Sequence, residues 1–145
     1  GSYDSPICQG LLAGMARLAR AWAGQPDKPI WIQEFGASCD WMPQEAKSEF
    51  LTESVTRGIG EGVAWFTWWC SHDIHPRMRF PSLEYDMGLL DTENRPKPHA
   101  IALRDLARTF AGRRVTIPDR PQLAPPALET NATWRWLLDT LSEAR

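Results

Sequence analysis

Two short apolar runs, each preceded by a segment with helical periodicity, constrain the fold of this chain more than any other feature. The stretch KPIWIQEFG (28–36) sets β-branched and aromatic residues between Pro29 and Gly36, which predicts a buried strand over residues 29–34. The stretch GVAWFTWW (62–69) is apolar almost throughout, as in parallel strands that are covered on both faces. Helices alternating with parallel strands indicate right-handed crossovers and an α/β architecture.

Four helices are predicted around these strands. The first begins at Ser5 and stops at Gly24, and the second starts near Pro43 and is broken by the glycines before the second strand. The third spans roughly residues 98–111, and the last runs from Thr133. The first helix is expected to bury an apolar stripe with spacings of three and four residues, formed by Ile7, Leu11, Met15, Leu18 and Trp22.

The C-terminal part of the chain is rich in proline. Residues 115–117 are predicted as a short strand, and the four prolines that follow are typical of an extended linker. We therefore divide the chain into part of an α/β domain (1–117), a Pro-rich linker (118–132) and an amphipathic helix (133–145). Two strands cannot form a covered sheet by themselves, so we expect further polypeptide or a second copy of the chain to complete the sheet.

Functional residues are expected where the strands end, because sites of parallel α/β folds lie at the carboxyl ends of the strands. Glu34 closes the first strand, and Trp68 and Trp69 close the second. A loop of nearly thirty residues (70–98) follows the second strand, and loops of that length usually carry function.

Three tracts, in this order along the chain, resemble a known enzyme family. WIQEFG (31–36), GVAWFTWW (62–69) and EYDMGLLDTENRPKP (84–98) are similar to the seventh strand, the eighth strand and the stretch after it in clan A (β/α)₈ glycoside hydrolases. The cellulase- and mannanase-like family 5 is the group that they resemble most. The resemblance covers roughly residues 5–112 and implies the C-terminal portion of a TIM barrel, with its last two strands and their helices.

The resemblance also implies a chemistry. The glutamate of Glu-Phe-Gly is the nucleophile in that family, and the match falls on Glu34; the sugar-stacking tryptophan of the eighth strand falls on Trp68. A retaining glycoside hydrolase of the β-glucan or β-mannan type is implied, with an oligo- or polysaccharide as partner and with no metal or cofactor. Such an enzyme holds a nucleophile and a general acid/base about 5 Å apart.

The second carboxyl of such a pair has no counterpart in this sequence. In the family it ends the fourth strand, usually as Asn-Glu, and no Asn-Glu pair occurs here. A complete barrel needs about 250 residues, so we expect a C-terminal piece that is inactive by itself. The alternative function is a non-catalytic carbohydrate-binding module or a half-barrel that associates with itself.

For the tryptophans, a place in the core is the structural alternative to a place in the site. Trp31 and Trp65 fit a core position better than Trp68 does. Strand alternation puts Trp65 and Trp69 on one face, and Phe66 and Trp68 on the other.

The polar candidates have structural alternatives as well. Glu34 as a strand-end carboxylate would cap a helix or pair with an arginine, and Trp41 either lines a neighbouring subsite or anchors its loop. His72 and Asp73 directly follow the second strand and are candidates for contacts with sugar hydroxyls. His72 and His75 are discounted as metal ligands because no helix is predicted there. Three charged residues of the long loop are interpreted as solvated or loop-anchoring: Arg77, Arg79 and Glu84.

Composition limits the remaining classes of function. The formal net charge of −2 gives no indication of a nucleic-acid or anionic-membrane partner. The cysteines Cys8, Cys39 and Cys70 form no C-x-x-C pair, so a disulfide framework is not expected. No stretch has the pattern of a signal peptide or the 18 apolar residues of a membrane span, and an extracellular or periplasmic location is left open.

Overall fold

The structure, a computed structural model, describes residues 2–121 and 123–142 and has the predicted order of elements. The helices are α1 (Pro6–Ala23), α2 (Lys47–Gly60), α3 (Pro98–Phe110) and α4 (Thr130–Ser142), and the strands are β1 (Ile30–Phe35) and β2 (Val63–Trp68). Two 3₁₀ turns, Gln44–Ala46 and Ser82–Glu84, lie before α2 and in the long loop. β1 and β2 are neighbouring, parallel strands of a two-stranded sheet, so the α/β class is confirmed.

Three details differ from the sequence prediction. β1 ends at Phe35 rather than at residue 34, residues 115–117 form no strand, and α4 begins at Thr130 rather than Thr133. In the described part of the chain, no helix combines the length and the apolar character that a bilayer span requires.

α1 begins and ends at the signals that the sequence shows. The Ser5 hydroxyl accepts a hydrogen bond from the backbone N–H of Cys8 at 3.3 Å, and Pro6 occupies the first helical position. Gly24 ends the helix in the left-handed conformation, with φ of 60° and its N–H directed at the carbonyl of Ala21. These end points are confirmed.

The buried face of α1, by contrast, is not the predicted apolar stripe. Ile7, Met15 and Trp22 are 40–45 % exposed, and of the stripe only Leu18 is fully buried. The buried face carries small residues instead, and α4 packs against it. A Cβ atom at Gly10 would lie 2.9 Å from a methyl group of Leu141. Because glycine has no side chain, α1 and α4 can approach closely at this position.

The described residues divide into two compact units. The first unit combines the described residues of the ranges 1–31, 53–65 and 114–145, and Arg20 of α1 holds several of its segments. The buried guanidinium of Arg20 donates hydrogen bonds to the carbonyl oxygens of Lys28, Glu61 and Gly62 at 3.1, 2.6 and 2.9 Å. Burial lowers the pKa of Arg20, and the charge of Glu61 partly offsets this. Arg20 thus fastens the segments that lead into β1 and β2.

The second unit, residues 32–52 and 66–113, has an aromatic core. The ring of Phe35 meets Trp68 edge-on at a centroid distance of 5.1 Å, and Trp68 lies 5.3 Å from His99. His99 is fully buried, with Nε2 2.9 Å from the carbonyl oxygen of Gly88 and Nδ1 3.1 Å from the side-chain amide of Gln44. These partners assign a neutral imidazole that donates from Nε2 and accepts at Nδ1.

The ends of the two strands are fastened side by side in the same unit. The backbone N–H of Trp69 donates to the carbonyl oxygen of Phe35 at 2.8 Å, which continues the pairing just past β2. A Cβ atom at Gly36 would overlap the carbonyl oxygen of Trp69 and lie 2.9 Å from the methyl group of Met87. The glycine of Glu-Phe-Gly is therefore a packing requirement of the strand ends.

Acid is expected to destabilise the fold through His99. Burial, with the charges of Lys97 and Lys47 acting in the same direction, lowers the pKa of His99 from 6.5 to about 4. As the pH falls, the unfolded chain binds a proton at this histidine before the folded chain does. The contribution of His99 to the free energy of unfolding is therefore fully present above pH 6.5 and is lost between pH 6.5 and 4, by on the order of 3 kcal/mol. Urea unfolding at a series of pH values measures this loss.

The matched controls for this titration are His99→Gln and His75→Gln. The first should flatten the pH dependence between 6.5 and 4, and the second, at an exposed position, should leave it unchanged. An equal pH dependence in the unaltered chain and in His99→Gln would contradict the assignment to His99.

Gly36→Ala is expected to destabilise the second unit, because the new methyl group meets a backbone carbonyl that is fixed by pairing. Overpacking of this kind costs about 3 kcal/mol. Gly60→Ala is the control, since a Cβ at Gly60 meets nothing within 4 Å. Thermal and urea unfolding compare the two variants, and equal stability of both would contradict the close approach.

Candidate active site

The face of the sheet that carries Glu34 follows from the aromatic contacts. The Phe35 ring touches Phe66 and Trp68, so these three side chains share one face. Because side chains alternate along a strand, Glu34 and Trp69 project from the opposite face at the neighbouring strand ends. The Glu34 side chain is exposed, and its carboxylate makes no hydrogen bond or ion pair with any other residue that the structure describes. Its carboxylate is therefore open to a ligand.

Trp68 is placed differently from the prediction. Its side chain is only 7 % exposed, its ring packs against Phe35 and His99, and its indole N–H donates to the carbonyl oxygen of Met87 at 2.8 Å. A ring covered in this way has no open face for a sugar, so the structure corrects the assignment of Trp68 as the sugar platform. It also corrects the core interpretation of two other tryptophans, which are 57 % and 60 % exposed: Trp31 and Trp65.

Trp69 is the indole that the strand ends place on the face of Glu34. Its side chain is 44 % exposed, and its N–H donates to a carboxylate oxygen of Glu84 at 3.1 Å. The peptide bond between Trp69 and Cys70 is cis. Strand alternation puts Trp68 and Trp69 on opposite faces, but only knowledge of which face is buried decides which of the two indoles is open.

Asp73 holds the long loop together. One carboxylate oxygen accepts from the backbone N–H of Gly88 at 2.8 Å, and both oxygens accept from the ammonium group of Lys97 at 2.7 and 2.9 Å. Only 14 % of the side chain is exposed. These contacts occupy both oxygens of the carboxylate, so the predicted contact of Asp73 with sugar hydroxyls is replaced by a structural role.

His72 and Trp41 keep exposed surface. The His72 ring nitrogens lie 3.1 Å from the hydroxyl of Ser71 and 3.0 Å from the amide oxygen of Asn94. The ring of Trp41 meets Phe50 edge-on at 5.8 Å. Trp41 is thus anchored by one ring contact, and both residues stay predicted members of a sugar site.

A cluster of charged residues, Lys47, Asp86 and Lys97, links the segments that follow the two strands and was not recognised from the sequence. The ammonium group of Lys47 has no exposed surface and donates to the carbonyl oxygen of Asp86 at 2.9 Å, as does Lys97 at 2.8 Å. The Asp86 carboxylate accepts from the backbone N–H of Cys39 at 3.1 Å. Burial alone raises the pKa of Asp86, but the bonds from Cys39 and the charges of Lys47 and Lys97 outweigh it, so the pKa is lowered.

The cluster joins the segment after β1 to the loop after β2. A second link lies nearby, since the Ser82 hydroxyl donates to the carboxylate of Asp40 at 2.7 Å. No sequence pattern identifies a lysine that is buried through a contact with a residue 39 positions away. Within the residues that the structure describes, no group of three or more His, Cys, Asp or Glu side chains is arranged to hold a metal ion.

No protein-family model matches the sequence, and no curated protein matches it either. Several solved structures do match. GH5_18 from Streptomyces cattleya, in complex with GlcNAc, is 37 % identical, with a TM-score of 0.73 over 81 % of this chain and 28 % of that one.

Two further structures are variants in which a glutamate is replaced by alanine, both in complex with Manβ1-4GlcNAc. The Streptomyces cattleya GH5_18 variant is 30 % identical, with a TM-score of 0.78 over 98 % of this chain and 38 % of that one. The variant from Bifidobacterium longum subsp. longum is also 30 % identical, with a TM-score of 0.73 over 79 % of this chain and 28 % of that one.

The chain therefore spans 28–38 % of the length of the structures that it matches. The resemblance carried by the three sequence tracts is confirmed, because the chain shares its fold with part of the glycoside hydrolases of family 5, and with GH5_18 in particular.

Proposed function

We propose that this chain supplies the nucleophile, Glu34, of a retaining glycoside hydrolase that cleaves the β-linkage of Manβ1-4GlcNAc. The observation that carries the proposal is the exposed carboxylate at the end of β1, on the same face as the exposed indole of Trp69. The sugar class comes from the GH5_18 structures, two of which hold Manβ1-4GlcNAc. Of the β-glucan and β-mannan types that the resemblance implies, we therefore propose a β-mannosyl linkage.

The reaction takes two steps. The Glu34 carboxylate attacks the anomeric carbon, the glycosidic bond to the leaving sugar breaks, and a covalent glycosyl-enzyme forms. A second carboxyl protonates the leaving oxygen and then takes a proton from the water that releases the mannose. We propose that this second carboxyl comes from polypeptide corresponding to the part of the GH5_18 structures that this chain does not span, so the chain by itself would not turn over.

Trp69 is proposed as the sugar platform in place of Trp68. The flat face of an indole fits the C–H-rich side of a pyranose and excludes water from it, while the indole N–H stays available to a polar partner. Trp69 has the exposure that this role needs, and its backbone is fixed beside the end of β1 by the bond to Phe35.

An activated 2-deoxy-2-fluoro-β-mannoside tests the nucleophile. Fluorine slows both steps, and a good leaving group makes the first step independent of the general acid, so the covalent intermediate accumulates. We expect mass spectrometry to find one added fluoromannosyl group on the peptide that contains Glu34. Glu34→Gln should abolish the label, and the control Glu45→Gln, at an exposed carboxyl in the first 3₁₀ turn, should retain it.

Other results would point elsewhere. A label on a different carboxyl group would contradict the assignment of Glu34. Saturable binding of Manβ1-4GlcNAc without any label, alone or with the complementary polypeptide, would favour the non-catalytic carbohydrate-binding module.

A further inference from the structure

We propose that Glu84 is a positioning residue for the sugar platform: its carboxylate holds the indole N–H of Trp69 and so fixes the plane of the ring that meets the sugar. This role rests on the proposed function. It assigns a task to a residue that sequence reasoning interpreted only as a solvated or loop-anchoring charge.

The contact between the two side chains is direct. The Nε1 atom of Trp69 lies 3.1 Å from Oε2 of Glu84, within the range of an N–H···O hydrogen bond. The acceptor is a carboxylate, and hydrogen bonds to ionised groups are stronger than those between neutral groups. The ring of Trp69 is 44 % exposed, so packing covers only part of it. The hydrogen bond to Glu84 thus provides a directional restraint on the ring.

Glu84 can restrain the ring because its own backbone is held. It ends the 3₁₀ turn Ser82–Glu84, and its N–H donates to the carbonyl oxygen of Pro81 at 3.0 Å. The first residue of the turn, Ser82, donates from its hydroxyl to Asp40 at 2.7 Å.

The chain on the other side of Glu84 is held as well. The hydroxyl of Tyr85 donates to the carbonyl oxygen of Met78 at 2.6 Å and accepts from the N–H of Phe80 at 3.2 Å. The carbonyl oxygen of Asp86 accepts from two ammonium groups, those of Lys47 and Lys97. The carboxylate of Glu84 therefore projects from a fixed support.

A restrained ring binds a sugar more tightly than a mobile one. If the indole samples several orientations, only the fraction of molecules with the ring in the stacking orientation can bind. The apparent dissociation constant then equals the intrinsic one divided by that fraction. Loss of the restraint should therefore raise the dissociation constant of Manβ1-4GlcNAc about three- to tenfold. Since Glu84 acts through the N–H of Trp69, the effect should vanish when that N–H is removed.

The first measurement needs no sugar. In the ¹⁵N-labelled chain, Trp69→Phe identifies the indole resonance of Trp69 by its disappearance. Glu84→Ala should shift this resonance and speed the exchange of its proton with solvent, and Glu84→Gln, which keeps an oxygen acceptor of the same shape, should restore most of the protection. Glu93→Ala is the control, because Glu93 is an exposed carboxylate of the same loop that pairs with Arg95. An unchanged Trp69 resonance in Glu84→Ala would overturn the positioning role.

The second measurement is a double-mutant cycle with Manβ1-4GlcNAc as the ligand. Glu84→Ala should weaken binding about three- to tenfold in the unaltered background and not at all in the Trp69→Phe background. Equal weakening in both backgrounds would show that Glu84 acts on the sugar or on folding, and would overturn the inference. Thermal unfolding of each variant separates loss of binding from loss of fold, and Glu84→Gln carries the test if Glu84→Ala does not fold.

A titration of the Trp69 indole resonance with Manβ1-4GlcNAc separates the two proposals. A Trp69 resonance that does not respond to Manβ1-4GlcNAc in the unaltered chain would contradict the proposed function, and the positioning role with it. A sugar-sensitive Trp69 resonance together with full affinity in Glu84→Ala would contradict the positioning role alone.

Discussion

The hydrogen bond from the N–H of Trp69 to the carbonyl of Phe35, at 2.8 Å, is the contact on which the candidate site depends. It sets the register in which β1 and β2 end, and with it the side on which each terminal residue projects. The ring of Phe35 packs in the core against Phe66 and Trp68. Because side chains alternate along the strands, Glu34 and Trp69 lie on the open face. Gly36 permits this arrangement because a side chain there would overlap the carbonyl oxygen of Trp69.

The loops around the strand ends are held by a buried lysine and its hydrogen bonds in addition to apolar packing. Lys47 and Lys97 both donate to the carbonyl of Asp86, whose carboxylate in turn binds the backbone of the segment after β1. Loss of the partners of the buried Lys47 ammonium group would leave an uncompensated charge and is expected to be destabilising. A rigid support is useful beneath a sugar site, because side chains that are already ordered lose less freedom when the ligand binds.

The sequence predicted the position of Glu34 but not the tryptophan beside it. Glu34 lies next to the last residue of a strand that is bounded by Pro29 and Gly36, and both of these signals are local. The choice between Trp68 and Trp69 is not local, because alternation states only that the two face opposite sides. The side that is buried depends on Phe35 and His99, which lie more than thirty residues away in either direction. Asp73 was misassigned for the same reason, since Lys97 and Gly88 occupy its oxygens.

What the sequence by itself determined is the set of elements and their ends: Ser5 and Pro6 start α1, Gly24 stops it, and the two apolar runs become parallel strands. These depend on backbone preferences and caps that act within a few residues. The tertiary structure decided which faces are buried. In α1 the face with Gly10 is buried, and three residues of the bulkier stripe, Ile7, Met15 and Trp22, are exposed. The gain from close approach of α4 belongs to the pair of helices and is not a property of either sequence segment.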